Sequence, residues 1–279
     1  MSLALTLLLA QIGPMVSPGT APPLRSAPLE MHRPKPVPAP PLQTRLQDCL
    51  ALAGRDPLAA IEVAEGWLQT VKGSPQADPQ HCLGIANNHL GRWSAAEQAF
   101  GAARDAVAAN EQGRKASLGA MAALAALDQQ AFARAEAVLL AAHGDAVAAS
   151  RSDLAGDIAI DRSRALVALN RIGEAETALT EGRTTSPANP AGWLLSATLS
   201  RRQGRLAQAQ AEIERAAQLM PADPQIGLEA GVIAILSGRE ASARKSWQSV
   251  IEVSPGSAEA KTATAYLDQL TPEPTAKGR

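Results

Sequence analysis

From residue 190 onward the apolar positions fall into paired stripes at helical spacing. The stretch 190–223 places Trp193, Ala197, Leu206, Ala209, Ile213 and Ala216 on such stripes, and 224–257 does the same with Gly231, Ala243, Trp247 and Val250. Gly204 and Gly238 stand between the stripes, where a helix must stop and the chain must turn. Ala209 and Ala243 are small where the second helix presses on the first. Pro221 and Pro255 follow the second stripe and end it, because proline cannot continue a helix. Each unit therefore reads helix, short turn, helix, proline stop.

The step between units is fixed. Pro187, Pro221 and Pro255 recur at one interval of thirty-four positions, and Ala175, Ala209 and Ala243 keep the same interval. A constant period predicts one supersecondary unit stacked on copies of itself, with no single enclosed pocket.

This pattern resembles the tetratricopeptide repeat. The fit lies at Trp193, Gly204, Leu206, Ala209, Ile213, Ala216 and Pro221. Upstream, Leu83-Gly84, Gly91-Arg92-Trp93, Ala96, Phe100 and Ala103 carry the family pattern, with Trp in place of its Tyr. The unit at 156–189 keeps Asn170, Ala175, Leu179 and Pro187 but lacks the Leu-Gly pair. Looser units are expected at 116–142, around Phe132, Ala135 and Leu139, and at 44–72, around Asp56-Pro57, Ala60, Ala64 and Trp67. The resemblance implies an all-α solenoid of helical hairpins wound as a right-handed superhelix, with about five to six helix pairs over 43–257. Residues 258–270, with Ala260, Ala263, Tyr266 and Leu267, read as an amphipathic capping helix, and 271–279 as a disordered tail.

Composition agrees with an all-α reading. Hydrophobic residues make up 46% of the chain and aromatics only 3%, so the apolar mass is alanine and leucine, which favours close helix packing. No sustained alternation of β-branched residues predicts a strand. The net charge is −1 over 279 residues, which argues against a nucleic-acid partner, and so few aromatics offer no stacking platform for single strands.

The N-terminal residues differ from the rest. Leu3 to Ala10 is an apolar run too short to span a bilayer, and it reads as a secretory leader ending between residues 10 and 21. Against this, no Lys or Arg follows Met1, and the alternative is a mildly apolar terminus on a cytoplasmic protein. Residues 14–41 hold ten of the twenty prolines, so 22–42 reads as an extended spacer that cannot form a core. The expected location is periplasmic or secreted, with cytoplasmic as the alternative.

The separation of Cys49 and Cys82 is one position short of the period, so they fall on the first helices of neighbouring units. There they either form a disulfide that staples the first unit to the second, given an oxidising compartment, or remain two buried thiols. No Cys-x-x-Cys is present to support redox catalysis. His81 and His89 lie on one helix about 12 Å apart along its axis, too far for one metal. Asp153, Asp157 and Asp161 recur every four residues beside Arg162 and Arg164. Pairings of Asp157 and Asp161 with Arg164, on a solvated stripe, explain them better than acid–base chemistry. No hydrolase, metalloprotease or phosphate-loop motif occurs. We therefore expect no catalytic, cofactor-binding or metal-binding residue and no enzyme activity, the last of the alternatives being an envelope hydrolase with an atypical site on the Asp153–Asp161 face.

The resemblance implies that the first helix of each pair lines a groove for an extended peptide or a helix. On this chain the implied groove side is His81, Ile85, Asn88 and His89, then Asp157, Ile160 and Arg164, then Leu194, Thr198, Arg201 and Arg202, then Leu228, Val232 and Ile235. The last unit is apolar there, while Arg201 and Arg202 suit a carboxylate or complement a helix end. The chaperone-binding members capture a terminal carboxylate with a lysine and asparagine set that this chain lacks. A protein or peptide partner is expected, with self-association through the apolar last unit as the alternative.

Overall fold

The structure, a computed structural model, describes residues 44–270; the expected leader, spacer and tail lie outside the described residues. Thirteen α-helices follow one another, and no strand occurs among the described residues. Six successive pairs are α1 (Arg45–Ala53) with α2 (Pro57–Leu68), α3 (Ala77–His89) with α4 (Trp93–Ala106), α5 (Gln112–Asp128) with α6 (Phe132–Ala148), α7 (Ser152–Ala168) with α8 (Ile172–Thr185), α9 (Pro190–Arg202) with α10 (Leu206–Leu219), and α11 (Pro224–Leu236) with α12 (Glu240–Val253). A last helix, α13 (Ala258–Gln269), packs on α12 and α11 through Ala263, Tyr266 and Leu267.

Every pair is closed by a short turn of equal length. In five of the six its middle residue is left-handed: Gly91, Gln130, Asn170, Gly204 and Gly238, with φ between 58° and 76°. That conformation lets the next residue's N–H reach back to the carbonyl five positions earlier, as Arg92 does to Asn87 at 2.9 Å and Arg205 to Ser200 at 2.9 Å. Helix starts are equally regular. Asn189, Asp223 and Ser257, themselves set at the interval of the prolines, accept hydrogen bonds from N–H groups of α9, α11 and α13.

Measured from the left-handed residue, the core repeats. Five positions after it stand Ala96, Ala135, Ala175, Ala209 and Ala243, all fully buried. Nine positions after it stand Phe100, Leu139, Leu179, Ile213 and Trp247, the large buried side chain of each second helix. Seven before it stand Gly84, Ala123, Ser163, Ala197 and Gly231, the small residue of each first helix. The two aromatic residues are matched with the two glycines; the aliphatic ones are matched with Ala or Ser.

The core is thus a chain of small clusters strung along the junctions between pairs, two of them where α5, α6 and α7 meet. The first is made of Cys49, Ala53, Ala60, Ala64, Cys82 and Ala86, with Leu46, Leu52, Ile61, Leu83 and Ile85 partly buried against them. There Cys49 of α1 and Cys82 of α3 stand sulfur to sulfur at bonding distance, with Cα atoms 6.0 Å apart. Elsewhere buried carboxylates join neighbouring pairs. Glu136 of α6 accepts from Arg162 of α7 at 2.7 Å, and Glu212 of α10 accepts from Arg183 of α8 and from Ser200 at 2.7 Å.

Candidate partner-binding groove

The first helices align along one side of the stack, because α5, α7, α9 and α11 each touch the next first helix across the second helix between them. On that side one register carries a groove. The sixth residue before each left-handed turn residue is Ile85, Leu124, Arg164, Thr198 and Val232, and all five line cavities.

Three cavities follow one another. The first, about 270 Å³, lies among α3, α5 and α7 and has Ile85, Asn88, Met121, Leu124, Asp128 and Arg164 on its walls. The second, about 210 Å³, lies between α7 and α9 and shares Arg164 with the first; Val167, Leu179, Leu195 and Leu199 form its apolar floor, and Arg202 closes its far side. The third, about 420 Å³, shares Leu195 and Thr198 with the second and runs over Leu194, Leu228 and Val232 to Tyr266 of the capping helix. The shared residues make the row continuous.

Charge is concentrated at the middle of this row. Arg164 is exposed, and its ion partner is Asp161 at 3.5 Å. Burial raises the Asp161 carboxyl above the usual carboxylate range, and Arg164 opposes that shift. Arg202, in the last turn of α9, is exposed and makes no ion pair among the described residues. Two arginines therefore flank an apolar slot, a setting for an apolar side chain with a carboxylate beside it.

Other residues expected on the groove side have different duties. Arg201 does bind a carboxylate with both its Nε (2.6 Å) and Nη2 (3.3 Å), but the carboxylate is Glu229 of α11 in its own chain. Asp157 does not pair with Arg164; it accepts hydrogen bonds from Ser186 at 2.7 Å and Asn189 at 2.8 Å, fastening α7 to the turn before α9. Ile160 is buried against Gly182 and Gly192, which leaves it no open face. His81 turns its ring to Phe100, with centroids 6.2 Å apart. Burial, and next the charge of Arg114, hold its imidazole below the ordinary value, against the opposing influence of Asp78. His89 is exposed at the end of α3 and lines none of the three cavities, and Ile235 packs into the cluster under α13.

Several lining residues escaped the sequence reading. Met121, Leu124 and Asp128 belong to a unit whose turn residue is Gln130 rather than glycine, so its register was hidden. Tyr266 and Glu259 come from the capping helix, which the repeat pattern does not cover. No group of His, Cys, Asp and Glu suited to a metal ion occurs among the described residues. No helix among them is long and apolar enough to cross a membrane.

No protein-family model matches the chain, and no curated protein matches it. Solved structures match its shape. PilF of Pseudomonas aeruginosa is 17% identical, with a TM-score of 0.62 over 79% of this chain and 95% of that one. PilW, described as a widely conserved type IV pilus biogenesis factor, is 15% identical, with a TM-score of 0.63 over 80% of this chain and 100% of that one. TTC0263, a thermophilic tetratricopeptide protein of Thermus thermophilus, is 19% identical, with a TM-score of 0.56 over 70% of this chain and 100% of that one. At these identities the likeness establishes the fold: an all-α tetratricopeptide-like solenoid.

Proposed function

We propose that this chain is a non-catalytic scaffold that holds an extended segment of a partner protein along its first helices. The observation that carries this reading is the continuous row of three cavities from Ile85 to Tyr266, apolar on its floor and bearing Arg164 and Arg202 at its centre. Neighbouring helices pack about 8–10 Å apart, and an extended chain rises about 3.3 Å per residue. A bound segment would therefore cross about one helix every two to three residues and turn alternate side chains, apolar ones, into the row. Near the middle anchor it would carry an acidic residue, facing the two arginines.

A photo-crosslinking residue at Thr198 tests this, with one at Gln218 on the outer side of α10 as control. We expect Thr198 to mark a short segment with that spacing. The same segment, made as a peptide, should bind the wild type and lose most of its affinity for Leu195→Glu. Equal labelling from both positions, or binding indifferent to Leu195→Glu, would remove the groove from consideration.

The setting we propose is the bacterial periplasm. It rests on the apolar run Leu3–Ala10 and on Cys49 and Cys82, whose cross-link would persist only in an oxidising compartment. The N-terminal sequence of the protein recovered from fractionated cells decides it: an intact Met1 in the cytoplasmic fraction would overturn the proposal.

A further inference from the structure

The outer side of α6 is unlike that of the other second helices. On α10 the outward positions include Glu214, Arg215 and Gln218, and on α12 Lys245, Gln248 and Glu252. Between Ala133 and Ala148, α6 turns outward only alanine, glycine, Leu140, Val147 and one charged residue, Arg134. Leu140 is 51% exposed and Val147 58%. The charged and titratable groups of α6 are all engaged on its flanks or underside. Arg134 pairs with Glu97 at 2.6 Å and Asp145 with Arg104 at 2.7 Å, both toward α4; His143 meets Glu181 of α8 at 2.7 Å, and Glu136 is buried against Arg162. Nothing among the described residues covers the apolar stripe that remains.

We infer that this face is a two-fold interface with a second copy of the chain, α6 packing antiparallel on its counterpart. The exposed positions are spaced symmetrically about the midpoint between Leu140 and Ala141, with Arg134, held by Glu97, opposite Val147. An antiparallel copy sets Ala133 on Ala148, Ala137 on Gly144 and Leu140 on Ala141, a large residue against a small one at the axis. Alanine and glycine at these positions permit close helix approach. The same rotation sets α8 on its own copy, where the outward residues include Thr177, Thr180 and Thr184, and α4 on its own copy, where they include Ser94 and Gln98. Beyond them Asp105 of α4 and Glu174 of α8 are exposed at the edge, and a polar margin around an apolar centre is the usual anatomy of a protein interface. The area is also adequate. The 17-residue α6 is about 25 Å long and the 14-residue α4 and α8 about 21 Å, so three neighbours spaced about 10 Å apart offer roughly 670 Å² per partner, within the ~600–1,000 Å² of a standard interface. The face lies on a different side from the groove and does not depend on the groove reading.

Sedimentation equilibrium over a concentration series tests the inference. We expect the wild type to reach twice its chain mass, Leu140→Glu and Ala137→Glu each to remain monomeric, and Ala211→Glu on the outer face of α10 to dimerise like the wild type. All three positions are exposed, so thermal unfolding should be alike in the variants. The double variant Ala137→Cys/Gly144→Cys should give a cross-linked dimer on a non-reducing gel, and neither single variant should. A wild type that stays monomeric throughout, or dimers that survive Leu140→Glu and Ala137→Glu, would overturn the inference. Cross-linking by a single cysteine variant would overturn the antiparallel register. Binding of the monomer to lipid vesicles through the same residues would assign the face to a membrane instead.

Discussion

Gly231 and Trp247 occupy one space: a β-carbon on Gly231 would collide with Nε1 of the Trp247 indole. The ring is held there by its N–H, which donates to the carbonyl of Leu228 at 3.1 Å. Its contact with the Tyr266 ring, at a centroid distance of 5.1 Å, extends the packing to the capping helix. Gly231→Ala should therefore destabilise the protein by about 3 kcal/mol through overpacking. Trp247→Leu alone should leave a cavity and cost a similar ~3 kcal/mol. The double variant should be more stable than the sum of the two predicts, because the Ala–Leu match already occurs at Ala123 and Leu139. Urea unfolding of all four proteins measures this, and strict additivity would contradict it.

Gln130 is the side chain least suited to its turn. With φ of 59° it takes the conformation that Gly204 and Gly238 take without a β-carbon, at a cost on the order of 1 kcal/mol. It is exposed, so substitution removes no packing. Gln130→Gly should raise stability by about 0.5 kcal/mol once the extra chain entropy of glycine is subtracted. Asn170→Gly should gain less, since asparagine tolerates this region. A thermal shift in the opposite order would mean that some other contact of Gln130 matters more.

These turns also explain what the sequence made legible. The last two units could be aligned by eye because their glycines and prolines recur at one interval. In the middle of the chain the turn residues Gly91, Gln130 and Asn170 stand further apart than Gly204 and Gly238 do, since α5, α6 and α7 each run to 17 residues. Longer helices and non-glycine turns blurred the period there without changing the turn geometry. For the groove, alignment puts Ile85, Thr198 and Val232 on the side where the cavities lie, because backbone register decides which face a residue occupies. It could not reveal that Arg201 is engaged by Glu229 of the next first helix, or that Asp157 reaches Ser186. Those pairings depend on which side chain of the next helix comes within reach, which no spacing rule fixes.

The first pair should depend on its cross-link more than the others would. The fully buried members of its cluster are alanines around Cys49 and Cys82, and Leu46 and Leu52 of α1 are only partly buried, so the cross-link carries much of what holds α1 in place. Cys49→Ala/Cys82→Ala, or reduction, should remove about 2–4 kcal/mol from that pair. The loss should appear as faster amide exchange over 45–68 while 190–253 keeps its protection. Uniform loss of protection along the chain would show that the stack unfolds as one unit instead.

His81 gives acid pH a local target. Its imidazole is held below its ordinary value by burial and by Arg114, so the unfolded chain takes up the proton first as pH falls through about 6.5. Stability supplied by the neutral ring is complete above that pH and declines below it, until the folded ring also titrates. His81→Gln should flatten this part of the stability profile between about pH 7 and pH 5. Asp161 acts with the opposite sign at lower pH: its raised carboxyl gains protons earlier in the folded chain, which favours folding as pH falls. An unchanged profile in His81→Gln would assign the acid response to other groups.

Arg201 and Arg202 adjoin in sequence and should separate cleanly in experiment. Arg201 and Glu229 are partly buried, with side chains 23% and 13% exposed, and Glu229 would be left without its partner in Arg201→Ala. A fully buried pair broken this way costs about 3–5 kcal/mol; with solvent still reaching both groups, about 2 kcal/mol is expected. Arg202 is exposed, so Arg202→Ala should change stability by less than about 0.5 kcal/mol. Peptide binding should respond differently. Arg202→Ala should weaken an acidic peptide more at low salt than at high salt, because an unpaired exposed cation acts through a screened field. Asp161→Asn, which frees Arg164, should strengthen the same peptide. If Arg202→Ala unfolded as readily as Arg201→Ala, or if salt had no influence on the peptide, the separate roles assigned to the two arginines would fall.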